Sequence, residues 1–439
     1  MTNMMIERYR QYKFIRNLQR KLFFQKKLVK KNSECKCLVL LHLFYDSSWP
    51  EINEYLKNLS AYRFDLFVSV TRGMISPSTI EQIKMDYPEA KIVEVENKGY
   101  DLAPFFELLK DIDLNRYDVV FKLHSKSTKR KYIFIYRQLF FRRDWFVNLY
   151  EGILSGKNVH RTIDILFNQK QAGLIAAKNL IVKDPKYKVH LVKRVAEKSG
   201  IKISDDYSFV AGTCFAIKAE CLKQIQELHL EKADYSPVPS SRGLSFAHFA
   251  ERLLCDSVNS QGYLIKGNSA NVFRRALLKP LTIILNHYSS ERLFDENIDV
   301  DDDWFFWQMD NKLIRFKYVN IRFCDINYIS STYTSFLDGA PYKYVSEGDV
   351  VGYEAYCKNH LDLGLPIMTK ERFDCLIDSI NKNGFDEKKI IIIDNKNGLL
   401  DGQHRACVLA NQRGESSYVR VLKIWDIMEV VHGFFSHVK

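Results

Sequence analysis

Strand-like and helix-like segments alternate regularly over residues 38–123, and this alternation limits the folds that the chain can adopt. Short, mostly apolar runs typical of buried strands lie at 38–44, 64–71, 91–95 and 117–123. Segments with helical spacing of apolar residues separate them, at 49–59, 80–85 and 104–109. Strands that alternate with helices indicate an α/β fold built on a largely parallel sheet. Ligands bind such sheets beyond the carboxyl ends of the strands, so we expect the site in the loops that leave that edge.

The length of the chain predicts more than one domain. A chain of 439 residues is too long for one ordinary hydrophobic core, so two or three domains are expected. A hydrophobic content of 46% and a charged content of 27% are typical of a globular protein. We predict a basic amphipathic segment at 1–34, an α/β domain at 35–280, a linker or extension at 281–334 and a smaller α+β domain at 335–439.

Much of the formal net charge of +12 lies near the N-terminus. Over residues 8–31, basic residues interleave with Tyr, Phe, Ile and Leu, which is typical of a helix that lies on an anionic membrane surface. A helix packed on the domain is the alternative, and nucleic acid is not expected as a partner because no recognition motif accompanies the charge. The sequence contains neither an apolar run of about 18 residues, which a membrane span needs, nor a signal peptide. We therefore expect a cytoplasmic protein, held peripherally at the inner membrane face if residues 8–31 bind lipid.

Two polar loops follow consecutive strands of the predicted sheet, at 97–101 and 124–127. Lys122, Lys126 and a protonated His124 would attract a diphosphate. They would also stabilise the charge of that diphosphate as it leaves, and this makes His124 a candidate catalytic residue. The other residues expected to contact the donor are Asn97, Lys98, Gly99, Asp101 and Ser127.

These residues lie in segments that carry a family resemblance. The segments are NKGYDLAPF and YDVVFKLHSKS, with LLHLFY before them and FVAGTCFAIK and AHFAERLL after them. In this order they make residues 36–275 resemble the rhamnan synthesis protein F family of bacterial polysaccharide enzymes. The resemblance implies a glycosyltransferase with a GT-A-like sheet. It further implies a nucleotide-sugar donor, with rhamnose as one candidate sugar, and a glycan or lipid-linked glycan acceptor of the O-antigen, capsule or rhamnan type.

General GT-A enzymes end the corresponding strand with an Asp-x-Asp motif that holds a divalent metal. This chain has KLHSK at 122–126 instead, so the acidic pair is replaced by basic residues. Because cations neutralise a diphosphate directly, we expect chemistry that requires no metal or other cofactor. His124 as a ligand of a divalent metal is the alternative.

Sugar transfer with inversion needs a base near the acceptor hydroxyl. In GT-A enzymes this base often lies on a helix that follows a glycine-containing strand. Here the strand-like segment 209–217 is broken by Gly212, and a later helix carries Glu251, our candidate base. Asp101 is the alternative base and would otherwise contact the donor sugar or ribose. Arg252 would bind phosphate or pair with Glu251, and Gly212 would permit close approach of the backbone to a ligand or mark a bulge.

Three segments stand out in the last part of the chain: RFDCLIDSI at 372–380, NGF at 383–385 and LLDGQHRA at 399–406. With them this part resembles the ParB/sulfiredoxin-type domains, in which a Gly-x-(His/Arg)-Arg loop opens a helix and binds nucleotide phosphate. Backbone N–H groups at a helix N-terminus, together with basic side chains, form an anion site. The double arginine of partition proteins and the cysteine of sulfiredoxin are both missing here. A fold kept for docking, without nucleotide, is one alternative. Another is a nucleotide-dependent kinase or nucleotidase in this domain, with the first domain binding glycan. The predicted phosphate-binding residues are Asp401, Gly402, Gln403, His404 and Arg405.

Overall fold

The computed structural model of the chain describes residues 34–126, 132–135, 138–184, 186–230, 235, 245–269, 280, 282–290, 292–293, 309, 312–328, 334–362, 367–386 and 389–427. The basic segment at 8–31 and Ser127 lie outside these residues. None of the described helices is long and apolar enough to cross a membrane.

Seven strands form the main sheet. They are β1 (Lys36–Leu43), β2 (Arg63–Thr71), β3 (Lys91–Val95), β4 (Val119–His124), β7 (Ala172–Ala177), β10 (Phe215–Lys218) and β11 (Leu264–Asn268), in the order β11-β7-β10-β4-β1-β2-β3. Only β10 runs antiparallel to its neighbours, β4 and β7. The predicted mixed α/β architecture with a largely parallel sheet is confirmed. Two small antiparallel pairs accompany it: β5 (Tyr132–Ile135) with β6 (Gln138–Phe141), and β8 (Ile181–Val182) with β9 (Phe209–Val210).

Eight α-helices are described in this domain. They are α1 (Trp49–Leu56), α2 (Pro77–Asp86), α3 (Leu102–Leu109), α4 (Arg142–Leu154), α5 (Gly156–Asn168), α6 (Lys186–Lys198), α7 (Ala219–Gln226) and α8 (Phe246–Ser260). Every residue of β1 after Lys36 is buried, which is the pattern of a central parallel strand covered on both faces. Each buried Leu or Val side chain there contributes about 1.5–3 kcal/mol through loss of contact with water.

The segment 209–217 consists of two short strands rather than one. β9 and β10 belong to different sheets and are separated by a turn in which Gly212 and Thr213 both have positive φ, +79° and +47°. The predicted break at Gly212 is therefore confirmed. Its physical cause is two successive residues in the left-handed backbone conformation, which departs from the extended backbone of a strand.

A second sheet with its own hydrophobic core lies towards the C-terminus. Its strands are β12 (Ile314–Arg322), β13 (Ile391–Ile393), β14 (Leu399–Asp401) and β15 (Tyr418–Asp426), in the order β12-β15-β13-β14. Its helices are α9 (Ala340–Glu347), α10 (Val350–Asp362), α11 (Lys370–Asn383) and α12 (Gln403–Arg413). β12 pairs with β15 along its whole length. Part of the predicted linker at 281–334 therefore belongs to this sheet, and the predicted start of the unit at 335 is too late.

Candidate active site at the carboxyl edge of the main sheet

Three segments meet at one edge of the main sheet: the loop 97–101 after β3, the end of β4, and the turn 211–214 before β10. β4 ends at this edge with His124. Because β10 is antiparallel to β4, and Phe215 lies opposite Lys122, the start of β10 and the turn before it reach the same edge. The topology thus brings together residues that are about 110 positions apart in the chain.

The carboxylate of Asp101 joins these three segments. Its Oδ2 accepts a hydrogen bond from Lys122 Nζ at 2.5 Å and another from the hydroxyl of Thr213. Lys122 Nζ also donates to the backbone carbonyl of Thr213 at 3.1 Å. All three side chains are buried, with Lys122 only 1% exposed. Asp101 therefore ties the loop, the strand and the turn into one polar cluster.

Asp101 is held in its ionised form. Burial alone would raise the pKa of its carboxyl, but the basic groups around it, His124, Lys122 and Lys126, outweigh burial and hold that pKa well below its ordinary value. Lys122 was predicted to contact the donor diphosphate. Its ammonium is buried and already bonded to Asp101 and Thr213, so in this arrangement it fixes the position of Asp101.

His124 faces the same turn. Its Nε2 donates to the carbonyl oxygen of Gly212 at 2.6 Å, and its Nδ1 lies 3.8 Å from Asp101 Oδ1. Burial, which the charge of Asp101 offsets only in part, lowers the pKa of His124 to about 3. Burial therefore favours the neutral ring, whereas the oxygens of Gly212, Ser125 and Asp101 around both ring nitrogens favour the protonated one. A third cation at this position stays a prediction. His42, on the neighbouring strand, lies near the hydroxyls of Ser69 and Thr71 as an ordinary core histidine.

Both loops of the site have unusual backbone conformations. Gly99 and Tyr100 have φ of +63° and +55°, and Gly212 and Thr213 repeat this pattern in the turn. A non-glycine residue with positive φ costs about 1–3 kcal/mol and persists only where the surroundings impose it. The hydrogen bonds of Asp101 and Thr213 supply that constraint here.

Glu251, the predicted base, contacts the turn from α8. Its Oε1 accepts a hydrogen bond from the backbone N–H of Gly212 at 3.2 Å, and its Oε2 accepts one from Arg252 Nη1 at 2.6 Å. Burial raises the pKa of Glu251, although the charge of Arg252 opposes the shift. The structure thus brings Glu251, His124 and Asp101 together around Gly212 and Thr213, as expected for residues of one site.

Arg252 points away from solvent. Its Nε and Nη2 donate to the two carboxylate oxygens of Asp184 at 2.8 and 3.1 Å, and its guanidinium lies 3.8 Å from the centre of the Phe209 ring. Of the two predicted roles, pairing with Glu251 is the one that the contacts support. Asp184 was not predicted, because it lies in a short irregular segment after β8 and 68 residues before Arg252, and no local pattern marks it.

The remaining predicted donor contacts lie at the rim of the site. Asn97 is exposed, and Lys98 and Lys126 are partly exposed. Lys126 contributes electrostatically to Asp101 and His124. Among the described residues, no group of three or more His, Cys, Asp or Glu side chains is arranged to hold a metal ion. The donor-binding roles and the metal independence both stay predictions.

The predicted phosphate loop of the second unit bonds within its own domain. Arg405 is 1% exposed, and its Nη2 donates to Asp401 at 3.0 Å and to the carbonyl of Ile390 at 3.3 Å. His404 Nε2 lies 3.0 Å from the hydroxyl of Tyr353, and burial lowers the pKa of His404 to about 3. Gly402 has φ of +81° and precedes the first turn of α12. The side chain of Gln403 donates to the hydroxyls of Tyr328 and Tyr356. The ParB-like assignment and its phosphate site stay predictions.

Comparison with known families supplies the identity. Residues 2–263 match the family model of rhamnan synthesis protein F. The chain belongs to this family. The match covers more than half of the chain and includes all residues of the candidate site, and it identifies the protein as a glycosyltransferase of polysaccharide biosynthesis. Among curated proteins, none matches the chain by sequence.

Two solved glycosyltransferases are among the structures that this rhamnan synthesis protein F family member resembles. Glucosyl-3-phosphoglycerate synthase from Mycobacterium tuberculosis, in complex with Mn2+, UDP and glucosyl-3-phosphoglycerate, is 12% identical, with 56% of this chain and 78% of that chain covered and a TM-score of 0.29. Galactosyltransferase LgtC, in complex with donor and acceptor sugar analogues, is 11% identical, with 42% and 58% covered and a TM-score of 0.21. Similarity at this level carries no argument about the site.

Proposed function

We propose that this protein transfers a sugar from a nucleotide-sugar donor to a growing cell-surface polysaccharide. The observation that carries the proposal is the convergence of two carboxylates on the turn at Gly212 and Thr213: that of Asp101, which is buried, and that of Glu251, which is 12% exposed. This turn lies at the carboxyl edge of a largely parallel, GT-A-like sheet, where such folds bind ligands. Rhamnose is the first sugar to test, and the acceptor is a glycan or lipid-linked glycan of the O-antigen, capsule or rhamnan type.

Glu251 acts as the base in this proposal. The oxygen of the acceptor hydroxyl attacks the anomeric carbon, its proton passes to Glu251, and the bond from that carbon to the diphosphate breaks, so that the nucleoside diphosphate leaves with the bonding electrons. A base works best when its pKa lies near the operating pH. The raised pKa of Glu251 brings the carboxylate closer to that condition than an exposed glutamate would be.

Asp101 and Lys126 act on the donor. Asp101 is ionised, buried and fixed by Lys122 and Thr213, so a ribose or sugar hydroxyl that reached it would meet an acceptor in a defined position. Lys126 is partly exposed at the same edge, where its ammonium would neutralise the diphosphate without needing a metal. A divalent metal that shares this task is the alternative.

The test is calorimetric binding and hydrolysis of UDP-, GDP- and dTDP-linked sugars, with and without EDTA. Lys126→Ala should weaken donor binding, whereas Lys110→Ala, an exposed lysine at the end of α3, should not. Glu251→Gln should retain binding and lose hydrolysis. Loss of wild-type binding in EDTA would overturn metal independence and leave the transferase proposal standing.

A different result would favour the second unit. Binding of ATP or CTP, lost in Arg405→Ala, together with no binding of any nucleotide sugar, would refute the transferase proposal. It would support instead a nucleotide-dependent kinase or nucleotidase in the C-terminal unit. Arg405 donates its hydrogen bonds to Asp401 and to the carbonyl of Ile390, within its own domain. These bonds favour the transferase proposal over a nucleotide site at Arg405.

A further inference from the structure

The guanidinium of Arg252 is shared between two carboxylates. Asp184 accepts from Nε at 2.8 Å and from Nη2 at 3.1 Å, whereas Glu251 accepts only from Nη1, at 2.6 Å. The side chains of Asp184 and Arg252 are 0% and 2% exposed, and that of Glu251 is 12% exposed. One guanidinium therefore bonds to two carboxylates in a site from which water is largely excluded, and the buried Lys188 adds a second positive charge that helps to lower the pKa of Asp184.

The two carboxylates do not share this charge equally. Asp184 has the paired, two-oxygen geometry that gives the stronger interaction. It also accepts a hydrogen bond from the hydroxyl of Tyr207 at 2.9 Å. Glu251 has a single bond to Arg252 and one to the backbone of Gly212. Arg252 therefore stabilises the negative charge of Asp184 more than that of Glu251.

We propose that Asp184 is a positioning residue of the active site, which orients Arg252 and withholds part of its charge from Glu251, so that Glu251 can accept a proton. The inference rests on the proposed function for the role of Glu251, and its geometric part does not depend on the sugar or the acceptor. The opposite pKa shifts agree with it. Burial raises the pKa of both carboxyls, but the charge and hydrogen bonds of Arg252 reverse the shift at Asp184 and fail to do so at Glu251.

Other ionisable groups face this cluster from the elements packed around it. They titrate in every variant as well as in the wild type, so all proteins are titrated through the same series of buffers and only differences between them are interpreted. These groups are Asp101 before α3, Lys188 on α6, Tyr207 before β9, and His248 and Cys255 on α8.

The experiment is a pH titration of the Glu251 carboxyl by 13C NMR, with the resonance assigned by its loss in Glu251→Gln. Asp184→Asn keeps the shape of the side chain and removes its negative charge. The positive charge of Arg252 at Glu251 is then no longer offset by Asp184. The pKa of Glu251 should then fall by about one unit, the lower end of what a nearby charge produces. Asp206→Asn, which removes an exposed carboxylate paired with Lys183, is the matched control and should cause no shift.

Tyr207→Phe gives a shift of the opposite sign. The tyrosine hydroxyl donates to Asp184, and its dipole partly offsets the negative charge there. Without it, the potential of Asp184 at Glu251 becomes more negative, and the pKa of Glu251 should rise. General loss of packing would not produce opposite signs in the two variants. An unchanged pKa in Asp184→Asn, or a fall in both variants, would overturn the inference. If Asp184→Asn does not fold, Tyr207→Phe is the deciding variant. A Glu251 pKa that is unchanged or lower in Tyr207→Phe would then refute the inference about Asp184.

Activity separates this inference from the proposed function. The acid limb of nucleotide-sugar hydrolysis should move with the NMR pKa, downward in Asp184→Asn and upward in Tyr207→Phe. If the NMR pKa moves and the acid limb does not, Asp184 controls Glu251 as inferred, but Glu251 is not the base, and the proposed mechanism fails instead.

Discussion

Alanine at Gly212 tests the turn on which the candidate site is built. The backbone at Gly212 has φ of +79°, and a Cβ atom there would lie 2.8 Å from Leu149 Cδ2 and 2.9 Å from Trp145 Cζ2. An L-residue in the left-handed conformation costs about 1–2 kcal/mol. Overpacking against a well-packed core costs about 1–3 kcal/mol more. We therefore expect Gly212→Ala to lower the free energy of unfolding by about 2–5 kcal/mol in total.

Urea unfolding measures this change, and Gly262 supplies a matched control. Gly262 has φ of +80°, almost the same as Gly212, but a Cβ atom there would meet no other atom within 4 Å. Gly262→Ala should therefore show only the conformational cost of about 1–2 kcal/mol. The difference between the two variants isolates the contact with Leu149 and Trp145. Equal destabilisation by the two substitutions would refute the reasoning from packing.

The same variant should lose activity beyond its loss of stability. The carbonyl of Gly212 accepts from His124, and its N–H donates to Glu251. A turn displaced by a few tenths of an ångström moves both hydrogen bonds, so nucleotide-sugar hydrolysis should fall more than tenfold at temperatures where the variant is folded. Gly262→Ala should retain wild-type hydrolysis, and full activity in Gly212→Ala would show that the turn does not position the site.

Three further predictions concern buried charge. Lys122→Met should lower the unfolding free energy by about 3–5 kcal/mol because it leaves Asp101 unpaired, and adding Asp101→Asn should restore part of it in urea unfolding. Arg405→Met should destabilise the C-terminal unit by a similar amount through Asp401, with unchanged sugar-donor hydrolysis; a silent substitution would contradict the buried pair. Burial lowers the pKa of three histidines of the first domain, to about 4, 3 and 3: His42, His124 and His248. As the pH falls, the unfolded chain binds protons at these histidines before the folded protein does, so stability present above pH 6.5 should be lost towards pH 4. The loss is up to about 1.4 kcal/mol per pH unit for each histidine. The raised pKa of Glu251 has the opposite effect and reduces the loss. Urea unfolding at pH 7.5, 6 and 5 measures this loss, and a flat profile would count against neutral buried histidines.

Local patterns were sufficient for much of the fold. The alternation of apolar runs predicted the four parallel strands from β1 to β4 with ends that differ by no more than two residues from those in the structure. It also predicted that the loop 97–101 and the end of β4 lie at one edge of the sheet. Glu251 and Arg252 were predicted on a helix after a glycine-containing segment, and α8 confirms that position. Each of these features depends on residues that are close together in the sequence.

The pairing of charges was decided by tertiary structure. Every residue of β4 is buried, so no alternation shows which face of the sheet a side chain enters, and the inward placement of Lys122 against Asp101 could not be read from the chain. Asp184 and Arg252 are 68 residues apart, and their ion pair exists only because the segment after β8 packs beside α8. β12 meets β15 across about a hundred residues.

The family, the class of fold and the edge of the sheet where the chemistry is expected can all be read from the chain, because they follow from local periodicity and ordered motifs. Tertiary structure alone decided which charged groups are paired and buried, and which stay at the rim as Lys126 does. The physical reason is that a buried charge requires a partner, and a partner in a folded chain is chosen by distance in space rather than distance in sequence.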